Sequence, residues 1–464
     1  MMEPARRQGK AAPPLPRYAH SSDVTTPPPL ASPAAETTDP HVDARLRHNV
    51  LALGLDFGLF LVGLSFASQA TILPAFAAHL GAPNVVIGAI PAIMTVGWYL
   101  PPLFVAGHTE SLSRKLPFIV RYTVWERAPY LVLAGVAFAL AERAPGVSLA
   151  VFLAMLLLIA GTGGVLMPAW MDVVGRAIPT RLRGRFFAVT SMSAGVAGLG
   201  AGLVTAWLLS TVPAPRSYGI CFLIAALFLG LSYVALASVS EPPGPAPAPV
   251  TRLADRLRRV PALLRGDRNL AWFLASRLLA TVGGVAGGFY TVYALTVLGT
   301  PAWRAGVFTT AIIVGKLAGD AVLGWVADRV GHRAVLIVGI AATVVANAIA
   351  LTARSADAFD LVFALVGVQF AAHNVSGLNV LLEFAPSVAE RPTYIGLGLT
   401  TVAPLAFAAP LLAGLVADAL GFRAVFLGAA LGGLAALAVL IGVVRDPRHT
   451  RAARLAAPAP PEYT

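Results

Sequence analysis

Twelve stretches of about twenty apolar residues follow one another along the chain, each closed by a short polar run rich in Gly, Pro, Asp or Arg. About twenty helical residues cross a hydrocarbon core of about 30 Å. A segment in lipid must also satisfy its own backbone, so these stretches predict membrane-spanning helices. The predicted spans are residues 50–76, 85–106, 117–140, 147–170, 186–212 and 218–239, then 270–298, 305–327, 334–353, 359–384, 393–417 and 422–444. Short connectors make consecutive spans antiparallel. The expectation is an all-α membrane protein of twelve transmembrane helices.

Between the sixth and seventh spans the pattern changes. "EPPGPAPAPV" (Glu241 to Val250) is a stiff, Pro-rich connector. "TRLADRLRRVPALLRG" follows and sets Leu253, Leu257 and Val260 on one face of a basic helix suited to a membrane surface. With Asn49 set against Asn269, both open a first span, and Gly107 and Gly324 fall at the ends of the second spans. Six plus six spans with weak internal repetition mark transporters built by duplication. The chain therefore divides into a cytoplasmic tail (1–48), a six-helix half (49–240), a linker (241–268), a second six-helix half (269–445) and a second tail (446–464). The first tail carries Pro13, Pro14, Pro16, Pro27, Pro28, Pro29, Pro33 and Pro40 and lacks the apolar core of a signal peptide. Such composition predicts disorder.

Composition strengthens this picture. The chain is 57% hydrophobic and 12% charged, with mean hydropathy +0.76, outside the range of soluble domains at roughly 45–50% apolar. A net charge of +12 raises nucleic acid as a partner, but the basic residues are dispersed between apolar runs and no aromatic-basic module accompanies them. Their partner is the bilayer. Alternate connectors hold 21 Lys and Arg against 5 on the other side, counted from Arg45 to Arg454 and from Arg143 to Arg423, which puts both termini in the cytoplasm. Only Lys10, Lys115 and Lys316 are lysines, a bias that points to a GC-rich bacterial genome and hence an inner membrane. Cys221 is the single cysteine; no His/Cys cluster suggests a metal, and no cofactor is expected.

One connector carries a specific pattern. "GWVADRVGHRAVL" (Gly324 to Leu336) resembles the G-x-x-x-D-R-x-G-x-R/K motif of the major facilitator superfamily, with Gly324, Asp328, Arg329, Gly331 and Arg333 matching position for position. The resemblance implies that family's fold and a gating role for the hairpin. Gly324 would let span 8 approach a neighbour closely, an arginine or a helix N-terminus would compensate Asp328, and Gly331 would permit the reversal. The first-half copy, "GHTESLSRKLPF", keeps Gly107, Arg114 and Lys115 but has Ser111 in the aspartate position, with Glu110 as the nearest substitute. "GLVADALGFRAVF" (Gly414 to Phe426) reads as a reused turn, and "IPTRLRGRFFA" as an interface anchor entering span 5.

Polar residues inside spans mark pathways, because charge there is costly. Gln369, His373, Ser376 and Glu383 follow at steps of four, three and seven and share one face of span 10. The resemblance implies that spans 1, 4, 7 and 10 line a central cavity, so Gln369, His373 and Ser376, with Ser65, Gln69, Tyr290 and Tyr293, are candidate substrate ligands. Interhelical hydrogen bonding is the alternative role. Asp56 and Arg277 lie at matching depths in spans 1 and 7 and form a candidate gate or coupling pair. Lys316 and Asp320 read as a local pair, four apart; Glu126 and Arg127, being adjacent, are expected to point apart and serve packing. Span 5 lacks the Gly-Pro step usual in the family's drug antiporters, and the sugar-porter signatures after spans 6 and 12 are poorly matched. The resulting expectation is a monomeric secondary transporter that moves a small organic solute by alternating access, with protons as candidate coupling ions. The alternative is a non-transporting sensor or scaffold, and no nucleophile–base constellation supports an enzyme.

Overall fold

The computed structural model describes residues 40–242, 266–385 and 390–448. Most of the first tail, the basic linker helix and most of the second tail lie outside the described residues. Every predicted span is helical, and no strand occurs among the described residues. The helices are α1 (Pro40–Phe66), α2 (Ile72–His79), α3 (Asn84–Tyr99), α4 (Pro101–Ser111), α5 (Leu116–Tyr122), α6 (Val124–Arg127), α7 (Pro129–Ala139), α8 (Pro145–Ala177), α9 (Thr180–Thr211) and α10 (Arg216–Ala237). The second group is α11 (Arg268–Gly283), α12 (Gly287–Thr296), α13 (Arg304–Arg329), α14 (His332–Thr352), α15 (Asp357–Ser376), α16 (Asn379–Phe384), α17 (Arg391–Leu420) and α18 (Phe422–Gly442).

Among the described residues, ten helical stretches are long and apolar enough to cross a membrane. The second and third predicted spans are helical but segmented. Pro101 starts a new helix after α3, while Thr123 and Ala128 join the short pieces α5, α6 and α7. The first helix starts at Pro40, well before the predicted span, because its polar opening turns continue the helix beyond the apolar stretch.

Two spans break near their middles. Between α1 and α2, the Ser68 carbonyl accepts from the Thr71, Ile72 and Leu73 amides. Between α11 and α12, the chain passes through a 3-10 turn, Gly284–Ala286, flanked by Gly283 and Gly287. Such breaks need internal partners in lipid. Asn347 supplies one, donating Nδ2 to the Gly283 carbonyl at 3.1 Å; Thr291 supplies another, donating to the Ala70 carbonyl at 2.9 Å.

Helices α1–α10 pack mainly among themselves, as do α11–α18; the two groups meet through α3 with α17, α9 with α13, and α2 with α12. Both groups close their terminal ends in the same way. Asn49 Nδ2 donates to the Ser240 carbonyl and Asn49 Oδ1 accepts from the Ser240 amide, both at 2.9 Å. Asn269 makes the same pair with Arg445, at 2.9 and 2.8 Å. These are the two residues that open the sequence repeat, so the repetition has a structural basis.

Glycines set the closest approaches. A Cβ at Gly315 would lie 1.9 Å from the Ala364 carbonyl oxygen, and one at Gly164 the same distance from that of Gly97. Backbone contact of this kind replaces the hydrophobic drive that lipid removes.

Candidate functional site

A cavity lies between the two helix groups, in two adjoining compartments of about 320 and 370 Å³. Pro91, Thr95, Gly284, Thr343, Gln369 and Pro410 border both. Gln69 and Tyr290 line the first compartment, Arg277 and His373 the second. Among the described residues, neither lining includes an aspartate or glutamate, and Arg277 and His373 are the ionisable groups that border it. The side-chain amides of Gln69 and Gln369, one from each group, make no hydrogen bond with any described residue and border the same compartment. Two open amides in an otherwise apolar wall can receive a polar solute.

The contacts that close this cavity lie at the end of the bundle away from the termini. Thr71 and Thr309 share a hydrogen bond of 2.6 Å, and Asp418 accepts from the Asn84 amide (2.9 Å), Asn84 Nδ2 (2.9 Å) and the Val85 amide (3.0 Å). Asp418 therefore caps the N-terminus of α3 from the other group. This corrects the reading of "GLVADALGFRAVF" as a mere turn: Gly421, at φ +82°, makes the turn, while Asp418 bridges the groups. At the opposite end, Arg277 borders the cavity.

The structure separates the other sequence candidates. Ser376 is fully buried and shares a 3.0 Å hydrogen bond with His332 Nδ1; two turns below Gln369, α14 covers the same face of α15. Tyr293 packs its ring against Phe359, Phe422 and Phe426 and belongs to the aromatic core. Ser65 returns its hydroxyl to the Leu61 carbonyl at 3.0 Å and faces Gly198 of α9. Tyr290 reaches the cavity by one edge, its hydroxyl donating to Asn347 Oδ1 at 2.8 Å.

Asp56 and Arg277 are not brought together. Asp56 accepts from Arg127 Nη2 (3.0 Å), Ser232 Oγ (2.7 Å) and Trp170 Nε1 (2.9 Å) inside its own group, whereas Arg277 Nη1 lies 3.5 Å from the Gly377 carbonyl. The repeat sets Arg277 against Phe57, and one residue turns a helix by about 100°. That turn faces Asp56 inward, toward α6. There Glu126 and Arg127 do not diverge as expected: Arg127 Nη1 lies 3.4 Å from Glu126 Oε2, and both side chains are buried. Segmentation around α6 lets adjacent side chains converge. Sequence reasoning missed this cluster, although Pro129 signalled the break. It borders a third cavity of about 210 Å³, with Asp56, Glu126, Arg127 and Trp98 in its wall.

The motif hairpin is anchored at several points. Gly331, at φ +125°, makes the reversal. Arg333 donates to the Leu440 and Ile441 carbonyls at 2.8 and 3.0 Å, a cation at a helix C-terminus. The Arg329 guanidinium stands 4.3 Å over the Trp325 ring. Two expectations fail here. A Cβ at Gly324 would meet nothing within 4 Å, because span 8 makes its close approaches higher up, at Gly315 and Gly319. Asp328 is exposed and has no ion pair among the described residues, since this end of α13 stands apart from the other group. Lys316 and Asp320 pair at 2.6 Å as expected, Glu383 pairs with Arg448 at 3.0 Å, and Arg183 caps α8 through the Ile178 carbonyl at 2.9 Å. The Glu110 side chain lies outside the described residues.

Comparison with known proteins places this architecture. Residues 298–462 match the model of the Major Facilitator Superfamily, while no curated protein matches the chain. Among solved structures, a variant of the nucleoside transporter NupG is similar over 85% of this chain and 100% of its own, at 15% identity and TM-score 0.68. A bacterial homologue of the iron transporter ferroportin in an inward-facing state covers 85% and 98%, at 14% identity and 0.65. The D-xylose–proton symporter covers 86% and 98%, at 14% and 0.63. At such identities the likeness establishes the fold. The chain thus carries the sequence pattern of the Major Facilitator Superfamily over residues 298–462, and its described residues share the fold of these solved transporters.

Proposed function

We propose that this transporter carries a small organic anion across the bacterial inner membrane, as a monomer, with both termini in the cytoplasm. The observation that carries the reading is the cavity wall, where the Arg277 guanidinium and the His373 imidazole stand beside the amides of Gln69 and Gln369. An arginine in a half-dry cavity favours carboxylate or phosphate, which it binds in a planar, two-bond geometry. The two six-helix halves, 49–240 and 269–445, rock about the cavity. The basic residues gather at the terminal end, which by the positive-inside bias faces the cytoplasm. The contacts between halves lie at the far end, so the conformation described is open inward. The motif hairpin, from Gly324 to Arg333, forms its second set of contacts when the cavity opens outward. Protons are the proposed coupling ion, as they are for the D-xylose–proton symporter.

The test is uptake by proteoliposomes loaded with the purified protein, using labelled organic anions, neutral solutes and organic cations, with and without a pH gradient. Saturable uptake of an anion is expected. Arg277→Gln should raise KM about ten- to hundredfold, the worth of a hydrogen bond to a charged group. Uptake confined to cations or neutral solutes, or an Arg277→Gln variant with parental KM, would falsify the assignment.

A further inference from the structure

The first helix group holds more buried negative than positive charge. Asp56 on α1 and Glu126 on α6 share one guanidinium, Arg127, at 3.0 and 3.4 Å, and the side chains of all three are less than a tenth exposed. The nearest other charged network cannot supply the missing cation. At the terminal end, Lys115 and Arg176 stand against Asp172 and Glu241, at 2.9, 2.5 and 3.7 Å, two cations for two carboxylates. Tyr130, one turn along the chain, is the further titratable group that faces Glu126; Thr123, Ser232 and Trp170 contribute neutral donors. Two buried carboxylates sharing a site with one cation cannot both stay ionised without a further positive charge.

Hydrogen bonding decides which carboxylate takes it. Asp56 has both oxygens engaged, by Arg127, Ser232 and Trp170. Glu126 uses only Oε2, which accepts from Thr123 at 3.2 Å and Arg127 at 3.4 Å. Its Oε1 makes no hydrogen bond with any described residue and lies against Gly163, where a Cβ would be 2.7 Å away. Oε1 is therefore the oxygen open to a proton. Arg127 Nε, buried without a partner, is a spare donor for the carboxylate once the proton leaves.

The same glycine connects this site to the central cavity. A Cβ at Gly163 would also lie 3.5 Å from Trp98 Cζ2, and the Trp98 ring borders both the cavity beside Glu126 and the compartment holding Gln69 and Gln369. One side chain thus touches both sites, held there by the close approach of Gly97 to Ala160 and Gly164.

We propose that Glu126 is the proton-binding site of this transporter, with Asp56 and Arg127 setting its charge balance and Trp98 linking its protonation to the solute cavity. The proposal rests on the proton-coupled reading above, so its primary test needs no solute. Infrared difference spectra of the protein in lipid nanodiscs, taken between acid and alkaline pH, should contain the C=O band of a buried carboxylic acid that titrates reversibly. Glu126→Gln, which keeps the shape and charge of the protonated acid, should lose this band while melting at the parental temperature. Asp56→Asn leaves one carboxylate facing one guanidinium and should lose it at neutral pH. The Trp98 emission, obtained by subtracting a Trp98→Phe variant, should follow the same titration in the parent and be flat in Glu126→Gln. A parent without the band, or a band that survives Glu126→Gln, overturns the site; a Trp98 signal that still titrates in Glu126→Gln overturns the link. In proteoliposomes, Glu126→Gln should lose uphill accumulation and keep downhill exchange. Failure of the parent to move any solute would count against the transport reading alone, since the infrared result stands without it.

Discussion

Asp418 gives the most direct measurement of how firmly the far end is closed. Its carboxylate accepts three hydrogen bonds from Asn84 and Val85, the first two residues of α3, so it acts as an N-cap supplied by the opposite half. Loss of an N-cap acceptor costs about 0.5–2 kcal/mol, and a negative charge at a helix N-terminus adds about 0.3–1 kcal/mol at an exposed position. Asp418 is exposed, so solvent screens part of this, and we take about 1–2 kcal/mol as the net bias toward the far-closed state. Asp418→Ala should then raise the far-open population relative to the far-closed one by a factor of about 5–30. Asp418→Asn, which keeps acceptors but not charge, should fall between. Spin labels at Arg143→Cys and Arg354→Cys, exposed on far-end connectors of different halves, report the separation once Cys221, buried, is replaced by Ala. Double electron–electron resonance should show a longer-distance population growing in the order parent, Asn, Ala. Distance distributions that superpose in all three would refute the latch.

Two further outcomes follow from the repeat and the hairpin. Asn49→Ala leaves two part-buried backbone groups of Ser240 without these partners and should lower stability by about 1–2 kcal/mol, while Asn269→Ala, whose hydrogen bonds are exposed, should cost about 0.5–1 kcal/mol; thermal melts in detergent compare them. Gly331→Ala should cost about 1–2 kcal/mol, because an L side chain is strained in that backbone region, whereas Gly324→Ala should stay within about 0.5 kcal/mol of the parent, again read from melts.

The apolar ruler placed helix at every predicted span, ten of them long and apolar enough to cross a membrane among the described residues, because lipid imposes length and composition on a helix whatever its neighbours. It missed interruptions, since a twenty-residue ruler averages over short runs: Ser68, Gln69 and Thr71 marked the first break, and the paired glycines at 283–284 and 287–288 the second. The site was legible where one helix face decides it, as with Gln369 and His373. It was illegible where depth or a neighbour decides it. Ser376 shares the face of Gln369 but ends beneath α14, and Asp56 lies one residue out of register with Arg277, a difference of about 100°. The Asp56–Arg127–Glu126 cluster brings together residues 71 positions apart, a meeting that follows from the broken geometry around α6 and leaves no periodic trace.

The breaks in spans 1 and 7 also explain why the far end can open at all. A continuous helix would bury its carbonyls in its own ladder, and the halves would then meet through side chains alone. Here the break exposes the Ala70 carbonyl to Thr291 of the other half, and Thr71 beside it meets Thr309. Each of these bonds is worth about 0.5–1.5 kcal/mol net when water can replace it, far less than the cost of separating an interlocked apolar core. Apolar packing crosses between halves as well, where a Cβ at Gly88 would lie 2.0 Å from the Pro410 carbonyl oxygen and one at Gly306 2.3 Å from the Ala206 nitrogen. Beside that packing, the chain has placed polar contacts between the halves, Thr71 with Thr309, Thr291 with Ala70 and Asp418 with Asn84, that water can take over one at a time.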